Sequence, residues 1–264
     1  MALGDLERAL QLSRSAEHEW AAHADPNYES ANGMFGGWTT AVVLRAVGAE
    51  ADGDATPAAL TVNFVGKIEP GIDVLIRTRR VGGGKSVSYW QAEVVASDET
   101  PLATASMVLT ARRDTDGHLG LEMPDAPDPE TVALTNPAPG PHGERAPVRS
   151  IIGAPPHDGK STYSLNWVRE TSGRSVDHCQ LAFLSDHREP RSFFWSEGPR
   201  PSSTLTLSVY FHATTEELAA VGDDELLSEA FATRGAQATS EEHLRLWSRQ
   251  GALLATSVQM DWYR

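Results

Sequence analysis

Between Ala41 and Val47 every residue is apolar except Arg45, and a helix that is apolar almost all round has to be buried. The periodicity predicts this helix over 37–51, stopping near Asp52-Gly53-Asp54. It is led in by Asn32-Gly33-Met34-Phe35-Gly36-Gly37-Trp38, whose glycines let backbone N–H groups come close to a ligand at the helix start. One helix cannot bury itself, so the rest of the chain must wrap it.

The next segment has the pattern of a wall. From Ala58 the period becomes two: Leu60, Val62 and Phe64 alternate with Thr61, Asn63 and Val65 as far as the Pro70-Gly71 turn. Val74 and Ile76 continue it, Gly82-Gly83-Gly84 turns into Val87 to Val95, and Asp98-Glu99-Thr100-Pro101 turns into Leu102 to Ala111. The reading is a buried helix followed by a meander of four antiparallel strands. Ahead of it, 5–13 read as a short helix, while Trp20, Ala21 and Ala22 in 15–24 suit either helix or strand.

Nine of the sixteen prolines fall between Pro124 and Pro156, which marks 114–160 as an irregular crossing with little core of its own. Beyond it the grammar repeats. A strand at 162–168 leads to a helix at about 176–186, and four strands follow at 205–211, 225–233, 241–248 and 252–263. Leu60-Thr61-Val62 returns as Leu205-Thr206-Leu207, 145 residues on, and Leu102-Ala103-Thr104-Ala105-Ser106 as Leu254-Ala255-Thr256-Ser257, 152 residues on. Matched order at similar offsets indicates an internal duplication, with an N-terminal repeat over 1–113 and a C-terminal repeat over 161–264.

Composition narrows the partners. With 22 Lys and Arg against 36 Asp and Glu the formal charge is −14, so nucleic acid and anionic membranes are poor partners. A single cysteine, Cys179, forms no internal disulfide. The N-terminal residues are acidic where a signal peptide is basic, and no apolar run is long enough to span a bilayer. The chain reads as soluble and cytoplasmic.

Several motifs resolve to structure rather than chemistry. Gly82-Gly83-Gly84-Lys85-Ser86 is not a phosphate loop, because position 79 is Arg and the residues that follow alternate like a strand. The nine histidines show no metal spacing, so neither a metal nor another cofactor is expected. There is no Gly-x-Ser-x-Gly elbow. Cys179 reads as a packing residue, Asp223-Asp224-Glu225 as a solvated turn, and Thr214 with Glu217 as a capping box. For Phe35-Gly36-Gly37 two readings stay open: close packing of the helix, or N–H groups that stabilise an oxyanion.

A buried helix wrapped by a meander, present twice and joined by a long crossing, resembles the double-hotdog fold of the type II (medium- and long-chain) acyl-CoA thioesterases, an α+β architecture. The resemblance is carried by Asn32 to Gly37, Phe64 with Pro70-Gly71, Gly84-Lys85-Ser86-Val87-Ser88 and Leu102 to Ser106. In the second half it is carried by Ser208-Val209-Tyr210-Phe211-His212 and Leu254-Ala255-Thr256-Ser257-Val258-Gln259. It implies an acyl-CoA substrate and a water activated by an Asp, with help from a Thr or Ser and from a Gln on the last strand. On that mapping the Gln is Gln259, the Thr is Thr233, and the Asp position, two residues before Ser208, holds Thr206.

A threonine hydroxyl stays protonated near neutral pH and cannot replace a carboxylate as general base. The expected site is therefore Thr206, Thr233 and Gln259 around a water, with Phe35, Gly36, Gly37 and Trp38 binding the substrate; catalysis then leans on positioning and on polarisation at the helix start, or else a carboxylate arrives from elsewhere, with Glu229, Asp261 and Asp25 as candidates. The acyl chain would lie along the helix among Phe35, Trp38 and Leu44. Candidate cations for the CoA phosphates are Arg77, Arg79, Lys85, Arg234 and Arg245, by charge alone. Competing readings are an acyl-CoA or acyl-carrier binding protein without hydrolysis, a double-hotdog hydratase, and a protein whose second half is structural. Open sheet edges favour a homo-oligomer, a dimer or larger.

Overall fold

The buried helix is the longest in a computed structural model of the protein, which describes residues 5–51, 53–135, 138, 140–155, 157–196 and 198–264. In chain order the elements are α1 (Asp5–Ala9), β1 (Leu12–Ala16), β2 (Glu19–His23), β3 (Glu29–Ser30), β4 (Gly33–Met34), α2 (Gly36–Glu50), β5 (Thr56–Phe64), β6 (Asp73–Gly83), β7 (Val87–Val95) and β8 (Pro101–Thr110). Then come α3 (Pro141–Arg145), β9 (Val148–Ile152), β10 (Ser164–Val168), α4 (His178–Leu184), β11 (Ser202–Phe211), α5 (Thr215–Val221), β12 (Leu226–Ala236), β13 (Thr239–Trp247) and β14 (Leu253–Tyr263).

Twelve strands form one antiparallel sheet in the order β1-β2-β6-β7-β8-β5-β11-β14-β13-β12-β10-β9. Residues Gly37 to Leu44, Ala46 and Val47 of α2 are all buried, against the β5–β8 meander on one side and α4 on the other. The two halves meet where β5 pairs with β11, and there Leu207 stands opposite Val62. The 145-residue offset carries Val62 to Leu207 and so maps this pair onto itself. It likewise exchanges Asn63–Thr206 with Thr61–Ser208, the register expected of two repeats related by an approximate twofold axis.

Two segments differ from their sequence reading. Residues 12–23 are a hairpin turned at His18 (φ 58°) that adds β1 and β2 to the sheet edge beside β6, so the helix expected over 5–13 ends at Ala9 and the undecided stretch 15–24 is largely strand. The proline-rich crossing is not wholly irregular: β9 pairs with β10 at the opposite edge. Met123, Ala126 and Val132 pack on a small core of Leu165, Trp167, Leu227 and Trp247, and the Trp167 indole donates to the Pro127 carbonyl oxygen at 2.8 Å. Widely spaced apolar residues and single hydrogen bonds hold it down, neither of which leaves a periodic pattern. Gly83 turns β6 into β7 with φ of 104°, and Thr214 and Glu217 form a reciprocal capping box on α5. Among the described residues no helix is long and apolar enough to cross a membrane.

Candidate active site

Helices α2 and α4 touch where α2 begins. A Cβ on Gly37 would collide with the Phe183 carbonyl oxygen and the Phe35 ring, and one on Gly36 would lie 2.7 Å from Asp186 Oδ2 and 3.1 Å from Phe64 Cζ. Gly37 permits the helices to meet, and Gly36 opens the helix start to a carboxylate that follows α4. Gly37→Ala is expected to cost about 2–3 kcal/mol, the upper range for overpacking because the obstacle is backbone, and urea unfolding would measure it. A loss below about 0.5 kcal/mol would mean that the helices do not meet as described.

Aromatic rings wall this corner. Phe35 stacks on His142 of the crossing at 4.5 Å and meets Phe183 edge-on at 5.3 Å, while Tyr28 meets Phe183 at 5.6 Å. His142 is held by the Glu29 carbonyl oxygen, 2.9 Å from its Nδ1, and burial keeps its pKa below the usual imidazole range. At neutral pH this ring is uncharged.

The opposite wall is β14. Ser257, Gln259 and Asp261 alternate onto its buried face, and the Ser257 hydroxyl donates to the Ser185 carbonyl oxygen at 3.2 Å, tying the strand to the end of α4. Gln259 is paired with Glu242 of β13, and Asp261 with Thr204 of β11. Directly opposed residues project from the same face of a sheet, so all four face one space. The Gln259 Nε2 lies 3.3 and 3.4 Å from the Asp261 oxygens and 3.4 Å from Glu242 Oε2. Thr204 and Glu242 adjoin Asp261 and act to lower its pKa, and the backbone N–H of fully buried Arg191 donates to Glu242.

Three carboxyl groups are thus buried together. Asp186 has its pKa raised to about 8 by desolvation and by the charge of Asp261, while the Gly37 N–H, aimed at it from the start of α2, pulls the other way. Glu242 is pushed well up by desolvation and then by Asp261. Asp261 is raised by desolvation, against the hydrogen bonds it accepts. Two adjoining carboxyls in a dry site share one proton rather than both ionising. Among the described residues no set of three His, Cys, Asp or Glu side chains is arranged to hold a metal ion.

The structure brings Phe35, Gly36, Gly37 and Gln259 to this corner and leaves other expected residues outside it. Thr206 is opposed to Met260, out of phase with Gln259, and therefore points to the other face of the sheet. A bulge at Leu205 shifts the phase of β11, so Thr204 rather than Thr206 faces the cluster. Thr233 is exposed at the bulge of β12. Trp38 is fully buried and donates its indole N–H to the Ala9 carbonyl oxygen at 3.0 Å, so it packs the helix. Of the spare carboxylates, Asp261 is in the cluster, Glu229 is ion-paired with Arg245 at 3.0 Å, and Asp25 caps the turn at Asn27. Asp186, Thr204 and Glu242 had no sequence signal beyond their type, because an unseen bulge and strand register place the last two.

Two clefts lie elsewhere. One of about 810 Å³, lined by Asn63, Arg77, Arg79, Gln91 and Thr104, opens on the face to which Thr206 points, since Asn63 is the residue opposed to it. Arg77 there is already bonded to Glu19 and Glu99.

A twelve-stranded sheet wrapping α2 and α4, with a polar cluster where the helices meet, defines a double-hotdog protein. Residues 24–110 match the acyl-CoA thioesterase N-terminal domain and residues 118–260 the acyl-CoA thioesterase C-terminal domain, and the chain belongs to that family. Among solved structures it is similar to a hotdog-fold protein of unknown function from Alicyclobacillus acidocaldarius, with 30% identity over 100% of this chain and 99% of that one at a TM-score of 0.94. The same fold occurs in a putative thioesterase II from Thermobifida fusca, with 18% identity, coverage of 100% and 99%, and a TM-score of 0.86. It occurs also in an acyl-CoA thioesterase II from Mycobacterium marinum, with 17% identity, coverage of 98% and 98%, and a TM-score of 0.78. No curated protein sequence matches the chain significantly.

Proposed function

We propose that the protein hydrolyses acyl-CoA thioesters to a carboxylic acid and CoA, with Asp186 as general base. Asp186 takes a proton from a water that Gln259 and Thr204 help to hold, and the water oxygen bonds to the thioester carbonyl carbon. The Gly36 N–H, at the half-exposed start of α2, polarises the carbonyl oxygen, while Gly37 steadies Asp186. Collapse of the tetrahedral intermediate breaks the C–S bond, and the Asp186 proton passes to the leaving thiolate. Asp186, Gln259 and Thr204 are the residue types that the family resemblance calls for, from positions other than Thr206 and Thr233.

The observation that carries this reading is the carboxylate of Asp186 at the glycine-led helix start, facing the strand that bears Gln259. It supplies the base whose absence would favour an acyl-CoA binding protein. The acyl chain is assigned to the side of Phe35 covered by part-buried His142, because Trp38, Leu44 and Phe183 are already packed in the core. Release of free thiol from acyl-CoAs between acetyl and stearoyl tests the reading. Gln259→Ala is expected to lower kcat about 10²-fold, the low end for a group that helps general-base catalysis. A fully active Gln259→Ala protein, or a wild type inert on the whole series, would refute it.

A further inference from the structure

The hydrolytic reading uses one carboxylate, yet two more, Glu242 and Asp261, are buried behind Gln259, being 4% and 1% exposed. Their placement is built rather than incidental. Arg191, itself 0% exposed, holds Glu242 through its backbone N–H and places its Nε 3.9 Å from Glu242 Oε2. The guanidinium is fixed in turn by Ser164 Oγ at 2.8 Å, by the Glu189 carbonyl oxygen at 2.8 and 3.2 Å, and by the Phe194 ring beneath it. Glu242 and Asp261 bond to each other, and both offer oxygen to the Gln259 Nε2 at 3.3–3.4 Å.

A carboxyl pair that holds one proton uses it in the bond between the two groups, and its other lone pairs can only accept. The Gln259 amide therefore meets the pair favourably in one orientation, with its NH₂ inward; the reverse would set oxygen against oxygen. We propose that Asp261 and Glu242, anchored by Arg191, are positioning residues that hold the Gln259 NH₂ and so present its carbonyl oxygen to the water activated by Asp186. This rests on the hydrolytic reading for its consequence but not for its geometry. The charged groups around the pair are Arg191, with Arg188 and Glu189 on the same loop, and Asp186 at the end of α4. Thr204 of β11 adds an uncharged donor.

The test is a double-mutant cycle on the full chain. Asp261→Asn alone is expected to lower kcat at least about tenfold with KM within about twofold. In a Gln259→Ala background it should add less than about twofold, because a residue that acts through Gln259 has nothing left to position. Equal losses in both backgrounds would overturn the proposal, since a merely structural role would persist without Gln259. A second measurement does not need turnover: the Gln259 side-chain amide NMR signals, assigned by their loss in Gln259→Ala. They are expected to move with pH as the carboxyl pair titrates, to do so still in Asp186→Asn, to move with a shifted midpoint in Asp261→Asn, where Glu242 alone is left to titrate, and to stop moving when Glu242→Gln is added to Asp261→Asn. Amide signals indifferent to Asp261→Asn would overturn the positioning role even if the enzyme is active. A wild type that releases no thiol but shows the titrating amide would refute the hydrolytic reading alone.

Discussion

Asp186→Asn is expected to abolish most thioester hydrolysis, by about 10³-fold within the range of general-base contributions, and to make the protein more stable at pH 8. The second effect follows from the environment of the carboxyl group. The folded protein holds the Asp186 proton up to a pKa of about 8, against 3.8 for an ordinary aspartate. The native state therefore binds more protons than the unfolded chain between about pH 4 and pH 8, and stability drains away as pH rises through that window. Asparagine has no proton to lose, so the variant escapes the penalty. We expect its Tm to exceed that of the wild type by roughly 3–8 °C at pH 8 and to match it within about 1 °C near pH 4. Thermal melts at the two pH values, with thiol-release rates at pH 8, check both halves. A variant that is active, or less stable at pH 8 than the wild type, contradicts the assignment of Asp186 to a dry catalytic corner.

Arg191→Ala is expected to destabilise the fold more than Gly37→Ala does, by about 3–5 kcal/mol, the range for removing one partner of a buried ion pair. Arg191 is fully buried, and besides Glu242 its guanidinium satisfies Ser164 Oγ and the Glu189 carbonyl oxygen. Its loss leaves those acceptors unpaired and a void over the Phe194 ring. Arg191→Lys should recover less than half of the deficit, since one ammonium cannot reproduce the guanidinium fork. Urea unfolding with fixed m-values measures this, and a loss under about 1 kcal/mol would mean that the cluster is solvated.

The fold was legible because burial imposes period. The unbroken apolar run from Ala41 to Leu44, resumed at Ala46 and Val47, needs a wall, and the alternation of Leu60, Val62 and Phe64 supplies one. The duplication was legible down to register, since the offset that relates Leu60-Thr61-Val62 to Leu205-Thr206-Leu207 is the one that sets Val62 opposite Leu207. The candidate site was legible in part. Gln259 and Asp261, two apart on a strand, had to share a face, and Gly36 and Gly37 marked the helix start. What sequence could not give was phase. The bulge at Leu205 turns Thr206 outward and Thr204 inward, and no propensity marks it. Asp186 lies just beyond α4, where only the helix crossing decides which side chain reaches α2. The hairpin of β1 and β2 and the edge strand β9 escaped for a related reason. Each lies at an edge of the sheet, β1 mostly exposed and β9 half-buried throughout, so neither carries an alternating pattern.

On the proposed mechanism the buried carboxyl at the start of α2 must ionise before water can attack. The pH dependence of kcat/KM for one good acyl-CoA substrate tests it most directly, because that quantity reports ionisations of the free enzyme. The rate is expected to climb about tenfold per pH unit from pH 5 and to level off above a midpoint near 8. A profile that is flat from pH 5 to 9, or that already levels off near the ordinary carboxylate pKa of 3.8, would contradict it.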